Sequence, residues 1–286
     1  MNKFLVTCAA GLVSIVGAHA DSGTKATGLT EPLWEMGVGG GGFSGPTYPG
    51  ADDATTQALF IPFIIYRGEV FSIGEESGAR ALAFANEKIE LDVSLGASLA
   101  ADASEDDDRE GMPDLDFLFE IGPQIIYHAA RHDYDYWTGH FDIKLRTRAV
   151  IGTDFNSFDE HGYIVEPAFV YEFKSKRDSQ LEVQFDIEIL SGSERLNEYF
   201  YNVEQQYETP TRAEYHADAG YIGTELGIGV SLPVNRNLRI FAGMDAEFYD
   251  NSANQDSPLF KDKTAISGGI GLVYTFFESE ARVRRQ

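Results

Sequence analysis

The sequence is almost free of cysteine. Its one cysteine, Cys8, lies within the first twenty residues. If that segment is removed on export, the mature chain has no disulfide, no thiolate metal ligand and no cysteine nucleophile.

The first twenty residues have the order of a secretory signal peptide. Lys3 precedes an apolar run from Phe4 to Val16, and Ala18-His19-Ala20 follows as a small-x-small cleavage pattern. The run is too short for a membrane-spanning helix, which needs about twenty apolar residues. An N-terminal core helix is the alternative, which the polar, Gly-rich sequence that follows disfavours. We therefore predict cleavage after Ala20 and export from the cytoplasm.

Basic residues are also scarce. The chain has 22 Lys and Arg against 46 Asp and Glu, for a net charge of −24. Nucleic acid as a partner is excluded, because phosphate binding needs clustered Lys and Arg. An acidic chain with few aromatic residues would suggest disorder. Here aromatic residues make up 13% of the chain, so a folded protein is expected.

Long hydrophobic runs are missing after the signal segment. None approaches eighteen apolar residues, so no transmembrane helix is predicted. The dominant pattern is instead an alternation of apolar and polar residues with a period of two. It is clearest in 88–99, where Ile89, Leu91, Val93 and Leu95 share one face. Such alternation is typical of β-strands with two different faces.

The alternation predicts an all-β protein, a closed antiparallel transmembrane β-barrel of about twelve strands, with ten or fourteen as alternatives. The predicted strands are 34–43, 57–66, 69–75, 79–86, 88–100, 115–128, 136–150, 162–174, 179–191, 215–232, 238–250 and 264–277. Many exceed the five or six residues usual in soluble sheets, and aromatic residues gather near strand ends, as in interfacial girdles. The connections also alternate between long and short, as in outer-membrane barrels. A secreted β-sandwich is the alternative.

Three segments fit this scheme less simply. Pro123 and Pro167 fall inside strands, where each removes a ladder hydrogen bond, so bulges or strand ends are expected nearby. The aromatic stretch 196–207 could be a further strand or a segment folded into the barrel lumen. The run Gly39–Gly42 on the first strand predicts close packing of a neighbour.

Signatures of catalysis and of cofactor binding are absent from the sequence. There is no nucleophile elbow or phosphate-binding loop, and His128 and His132 lack the helical spacing of a metal site. The acidic run 104–110 lacks the ligand spacing of a calcium loop and is read as a solvated loop. We therefore predict no catalytic residue, cofactor or metal; a lipid hydrolase using His140 or His216 is the remaining enzymatic alternative.

The inward face of the predicted barrel carries opposed charges. In three neighbouring strands the polar positions are Lys144, Arg146, Arg148, Glu166, Glu172, Glu182, Asp186 and Glu188. In a narrow lumen these charges are expected to pair, because an unpaired buried charge is costly. Two interpretations remain open: a structural network that plugs the barrel, and a charge-lined constriction that passes small solutes.

Four motifs, in this order and spacing, resemble the MltA-interacting protein (MipA)/OmpV family of outer-membrane proteins. They are Tyr48-Pro49-Gly50-Ala51-Asp52-Asp53, Tyr199-Phe200-Tyr201-Asn202-Val203, Ala253-Asn-Gln-Asp-Ser-Pro258 and the closing Gly271-Leu-Val-Tyr-Thr-Phe276. The resemblance implies an outer-membrane barrel without enzymatic activity, surrounded by lipid and lipopolysaccharide. It further implies a scaffold role in envelope maintenance, with a lytic transglycosylase and a peptidoglycan synthase as partners.

The predicted domain organisation is therefore a signal peptide at 1–20, an outer-membrane barrel at 21–277 and a basic tail at 278–286. The tail departs from the family pattern, since barrels of this class usually stop at an aromatic residue. We expect a flexible terminus; contact of Arg282, Arg284 and Arg285 with anionic lipid or acidic partners is the alternative.

Overall fold

The structure is a computed structural model that describes residues 30–67, 71–73, 79–81, 84–86, 88–98, 103, 108–153, 157–177 and 180–284. The predicted signal peptide and residues 104–107 of the acidic run lie outside the described residues.

Strands account for most of the described chain, because the alternating sequence gives each segment two different faces. Their bounds are β1 Thr30–Pro32, β2 Trp34–Pro46, β3 Ala54–Arg67, β4 Phe71–Ile73, β5 Ala79–Ala81, β6 Phe84–Ala85, β7 Ile89–Ser98, β8 Phe117–Asp133, β9 Trp137–Thr153, β10 Phe158–Ser175, β11 Glu182–Gly192, β12 Gly220–Pro233, β13 Leu238–Phe248, β14 Thr264–Glu278 and β15 Arg282–Arg284.

Thirteen of the described strands form one curled antiparallel sheet. Their order is β5-β4-β3-β2-β14-β13-β12-β11-β10-β9-β8-β7-β6, so β2 pairs with the last long strand, β14. The two strands at the edges of the sheet, β5 and β6, are consecutive in the chain, with only residues 82–83 between them. The adjoining ends of these edge strands, Ala81 and Phe84, therefore lie within about 11 Å of each other, the reach of three extended residues.

The sheet has its apolar face outward. Along β8, Phe119, Ile121 and Ile125 are exposed, whereas Glu120 and Gln124 are buried. Phe60, 76% exposed on β3, shows the same arrangement. A soluble sandwich would place its apolar side chains inside, so this inversion is the pattern of a sheet surrounded by lipid.

Each predicted strand overlaps an observed one, but the predicted strand 79–86 is described as two, β5 and β6, and several other details differ. β9 and β10 extend towards each other, which leaves 154–157 as a much shorter connection than the predicted 151–161. β12 starts at Gly220, five residues after the predicted start. The register continues unchanged past both Pro123 and Pro167. The bulges lie elsewhere, for example between His128 and Ala130. Each proline interrupts the ladder with one neighbouring strand over two residues and does not displace the strand.

Both described ends of the chain lie at the same end of the sheet. β15 pairs with β1, with Glu31 opposite Val283. The described part of the basic tail is therefore a strand, whereas the sequence suggested a flexible terminus. We call this end, with the short connections 86–88, 134–136, 176–181 and 234–237, the turn end, and the opposite end the loop end.

Within the described residues, helical structure lies at the loop end. α1 spans Glu194–Tyr201, and a short 3-10 helix spans Gln205–Tyr207. Ser193 caps α1 by accepting a hydrogen bond from Leu196 N. In the part of the chain that the structure describes, no helix is long and apolar enough to cross a membrane.

Candidate functional site

Loops from four parts of the chain pack together at the loop end. Their buried residues form one apolar cluster, which we call the loop cap: Tyr48, Ala51, Leu115, Tyr201, Val203, Ala217, Tyr249, Leu259 and Phe260. Tyr201, Val203 and Leu259 have no exposed surface. Loops normally lie on the surface and remain mobile; this degree of burial gives the loop end a core of its own.

The segment 48–53 forms a tight turn at the centre of the loop cap. Tyr48 Oη donates a hydrogen bond to Leu259 O over 2.8 Å. Gly50 has φ +83° and its carbonyl accepts from Lys261 N at 2.7 Å. A Cβ on Gly50 would lie 2.7 Å from the Phe260 ring, so both the backbone conformation and the space require glycine. Asp53 closes the turn, its carbonyl accepting from Thr47 N.

The second motif, 199–203, ends α1 and continues into the loop cap. Tyr201 Oη donates to Pro49 O at 2.9 Å, joining this motif to the first. Asn202 Oδ1 accepts from Ala217 N at 2.8 Å. Burial raises the pKa of both Tyr199 and Tyr201 above the ordinary tyrosine range. The stretch 196–207 is therefore helix and loop, not a strand.

The third motif, 253–258, binds the loop cap together through buried polar side chains. Asn254, fully buried, accepts from Asp218 N and donates to Asp218 O, at 2.8 and 2.9 Å. Ser257 Oγ donates to Tyr201 O at 2.8 Å. Three of the four family-like motifs thus converge in the loop cap; 271–276 lies on β14, away from it.

Two arginines fasten the loop after β7 to the loop cap. Arg109, 4% exposed, donates to Phe200 O at 3.0 Å and lies over the Tyr48 ring at 5.5 Å. Arg212 donates to Asp108 O at 2.6 Å and to Tyr207 O at 2.9 Å. Neither residue was predicted from the sequence, because both fall in loops without periodicity. The only signal in the sequence was the residue type itself, because an arginine side chain has five donors that can bind several loop carbonyls.

Below the loop cap, an ionic layer runs along the inner face of the neighbouring strands β8 to β11. Arg146 pairs with Glu166 and with Glu188 Oε1, the latter at 2.8 Å. Arg148 Nη2 lies 2.5 Å from Glu166 Oε2, and its Nε lies 2.8 Å from Glu120 Oε2. All five side chains are buried, and each guanidinium is shared between two carboxylates, as its fork geometry allows.

The other predicted lumen residues are placed around this layer. Glu182 pairs with Lys174 at 2.7 Å and with Arg239 at 3.3 Å, nearer the turn end. Asp186 Oδ1 accepts a hydrogen bond from Gln184. Lys144 and Glu172 are both buried on the inner face, outside the Arg146–Arg148 contacts.

Several inward acids were not predicted from the sequence, among them Glu120 of the ionic layer and Glu225. Glu225 on β12 lies directly opposite both Glu188 and Glu247 in the ladders. The inner face of β12 is mostly glycine, at positions 223, 227 and 229. The alternation along this strand could therefore have indicated Glu225 as its one inward carboxylate.

Between the loop cap and the ionic layer lies a cavity of about 130 Å³. Its roof is apolar, with Leu196 and Phe200 from α1, and Ile164 and Ile222 line its sides. Its floor is mostly acidic: the charged lining residues are Asp116, Glu120, Arg148, Glu166, Glu188, Glu225 and Glu247. The lumen at this end is thus divided into an apolar and an anionic half.

Within the described ranges, no group of three or more His, Cys, Asp or Glu side chains could hold a metal ion. The histidines are dispersed: the His161 ring packs at a tilt against Tyr199 with ring centroids 4.0 Å apart, and the His216 side chain is 78% exposed beside Glu214.

Comparison with known proteins gives one family. The sequence model described as MltA-interacting protein MipA matches residues 38–276. No curated protein matches the chain. Among solved structures, the NanC porin matches with a TM-score of 0.34 at 6% identity, over 84% of this chain and 98% of the porin. Outer membrane phospholipase A from Escherichia coli matches with a TM-score of 0.29 at 9% identity, over 92% of this chain and 97% of the phospholipase. OprG from Pseudomonas aeruginosa matches with a TM-score of 0.26 at 10% identity, over 86% of this chain and 97% of OprG.

The family match covers most of the chain and includes all four motifs quoted above, and the outward apolar face fits a lipid environment. The chain is an outer-membrane β-barrel protein and belongs to the MipA family.

Proposed function

We propose that this protein is exported by its segment 1–20, cleaved after Ala20, and acts in the outer membrane as a scaffold for cell-wall enzymes. The partners would be a lytic transglycosylase, as the family description indicates, and a peptidoglycan synthase. The observation that carries the proposal is the loop cap. Because packed loops fill the loop end of the barrel, the barrel suits binding of partner proteins better than passage of solutes. The outward face would contact lipid and lipopolysaccharide.

The proposal includes closure of the barrel through the segment 79–85. β5 pairs with β4 on one side of this segment, with Phe71 opposite Ala81. β6 pairs with β7 on the other side, with Phe84 opposite Leu91. A continuous strand across 79–85 would join both edges and make a closed barrel of twelve strands between β2 and β14. Closure would remove the exposed edges that lipid cannot hydrogen-bond.

The charge at the two ends supports docking at the turn end, which faces the periplasm in this class of barrel. The connections of the turn end and β15 contain six basic residues, Lys88, Lys176, Arg177, Arg236, Arg282 and Arg284, against four acidic ones, Glu87, Asp135, Asp178 and Glu280. A partner with an acidic docking face would be attracted to this surface.

The test is binding of the refolded protein to a purified lytic transglycosylase by surface plasmon resonance. We expect binding that weakens with salt, and at least a tenfold loss in the R177E/R236E double variant. Arg195→Glu, a charge reversal at the loop end, is the matched control and should bind as the parent does. Absence of binding by the parent protein would reject the scaffold role.

A narrow solute pore is the second candidate, favoured by the charged lumen. Planar-bilayer conductance separates the two functions. The scaffold proposal expects a silent barrel, because the loop cap packs over the loop end and the buried side chains of the ionic layer project into the lumen. Regular single-channel steps would favour the pore. We assign no catalytic residue. In a phospholipid hydrolysis assay, we expect the rates of the His140→Ala and His216→Ala variants to equal that of the parent protein.

A further inference from the structure

Three glutamates stand side by side on the inner face of the sheet. Glu188, Glu225 and Glu247 occupy directly paired positions on the neighbouring strands β11, β12 and β13. Like charges directly opposite each other destabilise a sheet. A row of three therefore calls for compensating positive charge.

Among the described residues, the protein supplies a cation to only one member of this row. Glu188 has Arg146 at 2.8 Å, and Glu247 accepts a hydrogen bond from Tyr249 Oη. Among the described residues, Glu225 has neither a cation nor a hydrogen-bond donor. The nearby guanidiniums cannot serve it, because Arg146 and Arg148 already bind other carboxylates of the ionic layer.

An unpartnered hydroxyl lines the same cavity. Ser267 on β14 is 3% exposed, and its Oγ has no hydrogen-bond partner. Ser267, Glu225 and Glu247 all line the cavity below the loop cap. A buried polar atom without a hydrogen-bond partner is destabilising, so a ligand that supplies a donor to Ser267 Oγ would remove this cost.

The rest of the cavity fits the apolar part of a small molecule. Leu196 and Phe200 of α1 and Ile222 of β12 line it. Its volume of about 130 Å³ is close to the roughly 150 Å³ of an engineered apolar cavity that binds benzene. A metal ion would leave these apolar walls unused.

We propose that this cavity binds a small organic ammonium ion. The ammonium group donates to the Glu225 and Glu247 carboxylates and to Ser267 Oγ, while an aromatic or aliphatic body of about benzene size lies under Leu196 and Phe200. An ammonium provides three donors and one positive charge, which match the acceptors that the protein leaves uncompensated.

The experiment is equilibrium dialysis of the refolded full chain in detergent micelles, with benzylammonium as the probe. Dialysis tolerates slow entry beneath the loop cap. Benzyl alcohol is the neutral comparison, since it keeps the ring and lacks the charge. We expect benzylammonium to bind at least tenfold more tightly than benzyl alcohol. Equal retention of the two probes, or none of either, would overturn the proposal.

Glu225→Gln removes the charge while keeping the shape. It should lower benzylammonium affinity at least tenfold and leave benzyl alcohol unaffected. Glu160→Gln is the control, since Glu160 is 63% exposed on β10, and it should change neither affinity. Ser267→Ala, expected to weaken benzylammonium severalfold, serves as the second variant if Glu225→Gln fails to fold. Full affinity in both cavity variants would also refute the site.

This site does not depend on the scaffold role. Benzylammonium binding is measured without a partner protein, and transglycosylase binding is measured without the amine. Failure of one proposal is therefore distinguishable from failure of the other.

Discussion

At the scale of single residues, the sharpest energetic contrast is between buried and exposed arginines. Arg146 is buried between Glu166 and Glu188, whereas Arg195 pairs with Glu160 where both side chains are more than half exposed. Removing one partner of a buried ion pair costs about 3–5 kcal/mol, because it leaves a charge uncompensated. An exposed pair contributes about 0–1 kcal/mol.

We therefore predict that Arg146→Met lowers the free energy of unfolding by about 3–5 kcal/mol. Arg195→Met, the same substitution at an exposed pair, should lower it by no more than about 1 kcal/mol. The measurement is equilibrium urea unfolding of both variants in micelles. Equal losses in the two variants would show that the ionic layer contributes no more than a surface pair.

At the scale of elements, the loop cap should be sensitive to high pH. Burial raises the pKa of Tyr199 and Tyr201 in the folded loop cap, whereas an opened loop leaves them near the ordinary value of about 10. Their contribution to stability is fully present below about pH 10 and is lost as the pH rises towards the folded-state pKa. Above about pH 10 the loop cap should open more often.

Limited proteolysis of the segment after α1 measures this opening. Cleavage should accelerate above about pH 10 in the parent protein. The Y199F/Y201F double variant keeps both rings without an ionisable hydroxyl, so its cleavage rate should depend less on pH. An identical pH dependence in parent and variant would assign the effect to other groups.

At the scale of the whole molecule, the proposed closure predicts heat-modifiability. A closed barrel resists SDS until it is boiled, so the unboiled band in an outer-membrane fraction should run faster than the boiled one. Deleting residues 282–286 is the matched control: it removes β15, which pairs only with β1, and should leave the shift intact. No shift, with the protein soluble in the periplasm, would contradict both closure and membrane insertion.

The sequence by itself determined the strands and their faces. Alternation is a local property: each residue's side follows from its parity along the strand, so Arg146 and Glu188 could be placed inward before any pairing was known. The identity of the family also came from the sequence, because Tyr48–Asp53 and 199–203 keep their order and spacing.

Only the tertiary structure decided which of these residues meet. Tyr48, Tyr201 and Leu259 are far apart in the chain, and no periodicity links loops, so the loop cap could not be predicted. The position of Glu225 between two other glutamates could not be predicted, for the same reason. Its parity was readable, but its two glutamate neighbours depend on the register of three strands, which hydrogen bonding between distant segments sets.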